Sequence, residues 1–324
     1  MTEAATPGAC ALAAPAKLNL GLRVTGRRHD GYHELESLFL PIAFGDHVRV
    51  ERHDVVSRAR EVRFTLSGGT PDVPAGDANL AARAAHAFLE AAGLRATLDV
   101  HLLKRVPGGA GLGGGSSDAA AVLRALARLY PGALAPDALA AVGLGLGSDV
   151  PFFLQDPPRP ALVTGIGERV SPLSGGLPEV AILLVHPGVP LSTKAVFEAF
   201  DAQDAALTLH SAASTMRTPS GLRDLEDLGE HLRNGLLVND LEPAAIRLCP
   251  PIARLGGQLR ASAALGVGMS GSGPTLFALF EDRAAAEEAR AGLALEAPAW
   301  SRVTERYEPA GRGPQGIHGA SPNW

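Results

Sequence analysis

The sequence is poor in lysine, in cysteine and in clustered basic charge, and each shortage narrows what the chain can be. Of its 29 basic residues only Lys17, Lys104 and Lys194 are lysine. No stretch concentrates Lys and Arg, and the formal net charge is −5. Binding a nucleic-acid backbone requires concentrated basic side chains, so no nucleic-acid partner is expected. The two cysteines, Cys10 and Cys249, have no metal-ligand spacing and outline no disulfide framework, which fits a reducing, cytoplasmic setting. No uninterrupted apolar run approaches the roughly 18 residues of a membrane-spanning helix. The opening residues MTEAATPGAC also lack the basic and apolar regions of a secretory leader. A membrane partner is therefore not expected.

What the chain has instead is glycine in one place. Six of the eight residues from Gly108 to Gly115 are glycine, interrupted by Ala110 and Leu112 and preceded by Pro107. Each glycine costs roughly 0.5 to 1 kcal/mol relative to alanine, and in return permits positive φ and close approach of backbone to a ligand. Before the run, Ala96 to Lys104 alternates like a strand; after it, Ser116, Ser117 and Asp118 read as the cap of an alanine-rich helix. A helix N-terminus presents unpaired N–H groups at the positive end of its dipole, so a glycine loop feeding one makes an anion cradle. A flexible connector is the plainer reading, but connectors rarely end in a capped helix. The loop is not a Walker P-loop, because no Gly-Lys-Ser/Thr follows the glycines. Gly109, Gly111 and Gly114 match GxGxxG, yet the residues after the helix, PGALAPDALAAVGLGLG, hold no second strand ending in a ribose-binding acid.

Other segments carry chemistry-bearing residues whose roles their spacing leaves open. Lys17 and Asn19 alternate with apolar neighbours on a strand over 9 to 25, so their side chains share a face. A strand lysine is also an ordinary surface group, although in so arginine-biased a chain a compact ammonium invites notice. Asp30-Gly31 marks a turn before Tyr32-His33 and the segment Glu34–Phe39. That pair suits hairpin packing as well as the stacking and edge recognition of a flat heterocycle. Residues 46–53 and 61–67 alternate as strands, 79–92 and 136–144 read as helices, and Asp149 follows a glycine-rich turn where a cap residue is common. The second half reads as a strand at 180–185, a helix at 193–202, further helices to about 265, strands at 266–269 and 275–280, a helix at 283–293 and a strand at 301–307. This is the order of a split βαβ, ferredoxin-like unit. Met269–Thr275 is a second small-residue loop, a tight hairpin or a phosphate-lining segment. The Gly- and Pro-rich tail 309–324 is expected to be disordered.

The run from Pro107 to Ser117 resembles the phosphate loop of the GHMP kinases, which wraps ATP phosphates without a P-loop lysine. Ala14-Pro-Ala-Lys17-Leu-Asn19-Leu, Asp30-Gly-Tyr-His33, Gly147-Ser-Asp149-Val-Pro and the 269–275 loop extend the resemblance over roughly residues 10 to 307. It implies an α+β protein of two domains, a soft expectation also of its 324 residues. The first would be a ribosomal protein S5 domain 2-like domain over 9–172 and the second a ferredoxin-like domain over 173–308, with the active site between them. It implies an ATP-dependent small-molecule kinase with Mg²⁺ accompanying ATP, although no cluster names the metal's ligands. The Lys17 and Tyr32-His33 motifs point within the family to a cytidine-diphosphate-linked methylerythritol as substrate. By the same resemblance Asp149 would be the base and Lys17 would stabilise charge near the transferred phosphate. Asn79 would lie by the adenine, and Pro107, Gly108, Gly109, Ala110, Gly111, Leu112, Gly113, Gly114, Gly115, Ser116 and Ser117 would hold the phosphates. Tyr32 and Phe197 would sandwich the cytosine, His33 would read its edge, and Asn19, Phe39 and Thr193 would complete the pocket. A GHMP kinase for homoserine or mevalonate, an idle nucleotide-binding regulator and an S5-like RNA-binding protein are the alternatives. The acidic balance speaks against the last. Oligomeric state leaves no mark in the sequence.

Overall fold

The computed structural model describes residues 8–53, 60–69, 73–173, 179–207 and 237–308. Its first unit grows from one long hairpin, β1 (Ala9–Arg27) and β2 (His33–His53), paired antiparallel from Ala9↔Glu51 to Arg27↔His33. The turn is made at Gly31, whose φ of 89° lies where only glycine is comfortable. One end of β2 pairs with β4 (Thr97–Lys104) and the other with β5 (Ala161–Gly165). β3 (Glu61–Gly68) adds parallel to β4, and β6 (Arg169–Pro172) adds antiparallel to β5. The strand expected at 46–53 is thus the far end of β2. β5 and β6 were not foreseen, because five and four residues are too few to establish a period of two.

Two helices cover this sheet. α1 (Leu80–Ala91) buries Ala81, Ala84, Ala85, Phe88 and Leu89, and Asn79 caps it by accepting from the Ala81 N–H at 2.9 Å. α2 (Gly114–Leu129) is buried along Ala119, Ala120, Ala121, Val122, Leu123, Ala125 and Leu126, and packs on β1, β2 and α1. Its small side chains let it lie deep between sheet and helix. The start of α2 corrects the expected cap. The helix begins at Gly114 and no side chain caps it; Gly113, at φ 67°, turns the chain into it. Ser116 and Ser117 therefore stand inside the first turn, and Asp118 just past it. α3 (Pro136–Leu146) and the short α4 (Val150–Phe153) follow.

The second unit runs β7 (Ala181–His186), α5 (Thr193–Leu207), helices Glu242–Leu248 and Pro251–Arg260, β8 (Gly266–Met269), β9 (Leu276–Phe280), helix Arg283–Ala291 and β10 (Trp300–Thr304). The spatial order β10-β7-β9-β8, all antiparallel, is the expected ferredoxin-like arrangement. Alternation along its strands builds two cores at once. Ile182, Leu184, Phe277 and Leu279 meet Leu18, Leu20, Leu38, Leu40 and Ile42 of the first sheet. Leu183, Val185, Leu276, Ala278 and Phe280 face the helices on the other side. The sheets are also tied by backbone, through Ala43 N–H to Glu305 at 2.7 Å and Tyr307 N–H to Pro41 at 2.9 Å. The tail 309–324 lies outside the described residues.

Candidate active site

A cleft of about 990 Å³ is lined by the β1–β2 hairpin, the glycine loop, the turn before α4, the start of α5 and the 271–272 loop. The glycine loop reaches its position because it has almost no side chains. A Cβ at Gly111 (φ 74°) would stand 2.2 Å from the Ser270 carbonyl oxygen and 2.8 Å from that of Gly273. Instead the Ser270 hydroxyl donates to the Gly111 carbonyl at 2.9 Å, and the Lys17 N–H donates to the Leu112 carbonyl at 3.0 Å. The loop is thereby clamped between β1 and the 270–273 segment.

Period-two alternation sends Ala16, Leu18 and Leu20 into the inter-sheet core, and Lys17 and Asn19 to the cleft. The Lys17 ammonium donates to Asn19 Oδ1 and to the Gly111 carbonyl at 3.2 Å, and lies 4.7 Å from the Phe39 ring centroid. Asn19 is oriented in turn by donating to Ser37 Oγ at 2.8 Å, and Ser37 donates to the Gly21 carbonyl. Asp149 Oδ2 is 3.8 Å from Lys17 Nζ. Asp149 occupies the cap position of α4 yet makes no side-chain cap bond, which leaves its carboxylate to the cleft. Burial pushes the Lys17 ammonium below the usual lysine range, and the Asp149 charge opposes that shift without cancelling it.

The other expected site residues distribute around this pair. Pro107 through Ser116 line the cleft, as do Asn79, Tyr32, His33, Phe39, Thr193 and Phe197. Ser117 does not; it is buried, and its hydroxyl donates to the Pro15 carbonyl at 2.7 Å, fastening α2 to β1. His33 stacks on Phe197 with ring centroids 4.8 Å apart, and its Nε2 is 2.7 Å from Asp201 Oδ1. Tyr32 is 62% exposed. Thr193 Oγ1 is 2.9 Å from Ser272 Oγ.

Two features were missed in the sequence. Asp201, which also lies 3.4 Å from Arg27, follows the stretch 193–197 by one turn of α5 and carries no motif of its own. Lys104 forms a closed buried network with Asp46 at 2.5 Å and Asp118 at 2.7 Å. Asp46 Oδ1 also accepts the backbone N–H groups of Arg105 and Val106 at 2.5 and 2.8 Å. Burial depresses Lys104, but the Asp118 and Asp46 charges outweigh it and its pKa is raised. Burial, with the like charge of Asp46, pushes Asp118 well above the usual carboxylate range despite Lys104. The scarcity of lysine was the one sequence signal that could have marked this position.

Residues 79–156 match the GHMP kinases N terminal domain and residues 212–298 the GHMP kinases C terminal model. The chain belongs to the GHMP kinase family of ATP-dependent small-molecule kinases. Within it, the chain is 43% identical over 283 residues to a 4-diphosphocytidyl-2-C-methyl-D-erythritol kinase of Anaeromyxobacter sp. (strain Fw109-5), covering 87% of this chain and 86% of the relative. It is 40% identical over 278 residues to the kinase of the same name from Syntrophotalea carbinolica, covering 85% and 92%. A crystal structure of 4-(cytidine 5'-diphospho)-2C-methyl-D-erythritol kinase matches with TM-score 0.69 at 40% identity, over 91% of this chain and 99% of that one. A homoserine kinase from Cytophaga hutchinsonii, at 17% identity and TM-score 0.62 over 98% of each chain, shares the fold.

Proposed function

We infer that the protein transfers the γ-phosphoryl group of ATP to the 2-hydroxyl of 4-diphosphocytidyl-2-C-methyl-D-erythritol, giving the 2-phosphate and ADP in non-mevalonate isoprenoid precursor synthesis. The observation that carries the reading is the meeting of Lys17 and Asp149, 3.8 Å apart, in the cleft into which the N-terminus of α2 opens. Relatives about 40% identical over most of the chain bear that kinase's name.

The glycine loop and the first N–H groups of α2 hold the triphosphate, since free amides at a helix N-terminus favour anions. Asp149 accepts the proton of the 2-hydroxyl as its oxygen attacks the γ-phosphorus; the bond to the β–γ bridging oxygen breaks and ADP departs. Lys17, held in place by Asn19 and the Gly111 carbonyl, balances negative charge at the transferred group. Phosphoryl transfer depends on such positioning and charge stabilisation, and a placed base contributes typically 10² to 10⁴-fold. Asn79, which lines the cleft at the start of α1, would lie by the adenine. Tyr32, His33 and Phe197, with Asn19, Phe39 and Thr193, form the cytidyl and polyol side of the cleft, where stacking and edge hydrogen bonds recognise a flat base.

Among the described residues no group of three His, Cys, Asp or Glu side chains could hold a metal. Mg²⁺ needs only one or two protein oxygens besides substrate phosphates. Asp118 lines the cleft with one buried carboxylate oxygen, Oδ1, that has no hydrogen-bond partner. That atom and the Ser116 hydroxyl fit such a cation. When bound with ATP, Mg²⁺ would neutralise charge on the phosphate oxygens. A boundary between two domains at 172/173 is supported by the change of sheet from β6 to β7. The cytoplasmic setting rests on both cysteines being free thiols.

The test is ADP release with the cytidylyl substrate, homoserine and mevalonate offered separately. Release is expected with the first; release with homoserine or mevalonate alone would overturn the substrate assignment.

A further inference from the structure

A second cavity, of about 610 Å³, shares Pro107 with the cleft. Arg105, Arg283, Arg290 and Arg302 all line it, and Glu287 is the one carboxylate among the described residues of its wall. Glu287 is divided between Arg290 at 2.6 Å and Arg283 at 3.7 Å, and Arg283 also reaches Glu305 at 3.3 Å. Arg302 lies 4.9 Å over the Phe44 ring. Partial burial, then the like charges of Arg105 and Arg283, lower its pKa, as converging cations do. The remaining wall is Phe44, Pro107, Trp300, Ser301 and Val303, where Trp300 stacks on His186 at 5.4 Å and lies 6.1 Å from Phe44.

Guanidinium forks match phosphate oxygens in pairs, and roughly 300 to 1,000 Å³ is the range of small-molecule pockets. The aromatic wall suits a flat or apolar group carried by the phosphate. We propose that this cavity binds a small organic phosphate or diphosphate, and that Arg105 and Pro107 communicate its occupancy to the cleft. The route is short. The Arg105 and Val106 N–H groups both donate to Asp46, Asp46 holds Lys104, and Lys104 lines the cleft beside the root of the glycine loop. A ligand drawn onto Arg105 moves the anchor from which that loop springs. The communication rests on the nucleotide-binding reading of the cleft; the binding does not.

The test uses full-length protein carrying Trp324→Phe, which leaves Trp300 as the single tryptophan of the original two. Inorganic pyrophosphate is titrated in excess Mg²⁺, with a non-hydrolysable ATP analogue saturating the cleft, while Trp300 fluorescence is read. A saturable change is expected, weakened at least tenfold in the double variant Arg283→Gln/Arg290→Gln. Both arginines are about half exposed, so the variant keeps the fold and the kinase rate without pyrophosphate. Absence of a saturable change, or one unaltered in the variant, overturns the site. Pyrophosphate is further expected to shift the dissociation constant of the analogue by about fivefold or more; an unshifted constant overturns the communication. Failure of the analogue to bind at all would sink the nucleotide reading while leaving the Trp300 titration interpretable.

Discussion

Two lysines are buried within this molecule to nearly the same extent, Lys104 at 5% exposure and Lys17 at 3%, yet their surroundings drive them in opposite directions. Lys104 is gripped by two carboxylates within hydrogen-bond distance, so its charge is over-compensated and its pKa raised. Lys17 has neutral acceptors and one carboxylate at 3.8 Å, so burial prevails and its pKa is lowered. The first arrangement is finished; nothing more is needed to hold the ammonium. The second leaves an ammonium whose burial is not fully compensated, in a cleft lined by the glycine loop. Geometry of this kind separates a structural charge from a working one where burial alone does not.

The largest expected effect tests the closed network. Lys104→Met removes the cation between two buried carboxylates, and breaking such a cluster costs about 3 to 5 kcal/mol, read as a lowered urea midpoint at unchanged slope. A loss under about 1 kcal/mol would abolish the contrast between the two lysines. Next is Asp149→Asn, expected to cut turnover by about 10²-fold or more while the ATP analogue still binds and thermal stability holds. Unimpaired turnover would remove Asp149 from the base role. Lys17→Met is expected to reduce turnover by about 10²-fold yet leave stability within about 1 kcal/mol of the parent, because it relieves an under-compensated buried charge. A stability loss matching that of Lys104→Met would make the two sites alike.

The smallest effect is one of sign. Lys104, raised above the usual 10.5, contributes stability that is fully present below 10.5 and lost as pH climbs through its folded value. Lys17, lowered below 10.5, penalises folding fully below its folded value, and the penalty fades as pH rises toward 10.5. Subtracting each Met variant's stability-against-pH curve from that of the parent should give opposite slopes on the alkaline side. Slopes of the same sign would contradict the opposed shifts.

Much of the site was legible in the chain because its signals are local. Glycines at 108 to 115 announce a loop no side chain could follow, and the 2.2 Å a Cβ at Gly111 would leave to Ser270 gives the reason. Alternation placed Lys17 and Asn19 on one face of a strand, and they do touch. The expected serine cap of α2 was misplaced, because a left-handed Gly113 starts the helix and frees Ser117 to bind Pro15. Asp201 against His33, and the Asp46–Lys104–Asp118 cluster, had no pattern to betray them. Each joins residues far apart in sequence, and spacing records nothing of such pairs.

By itself, then, the sequence determined most of the order of strands and helices, the short β5 and β6 excepted, the side-chain-free character of one loop and the family's motifs, since propensity, periodicity and glycine content act over a few residues. Only the tertiary structure decided which lysine is held by two carboxylates and which has one at 3.8 Å, that Asp149 lies across from Lys17, and that four arginines gather beside Pro107. Those are matters of distance and dielectric between segments that meet only when the two sheets pack, and the strength of a charge interaction depends on both.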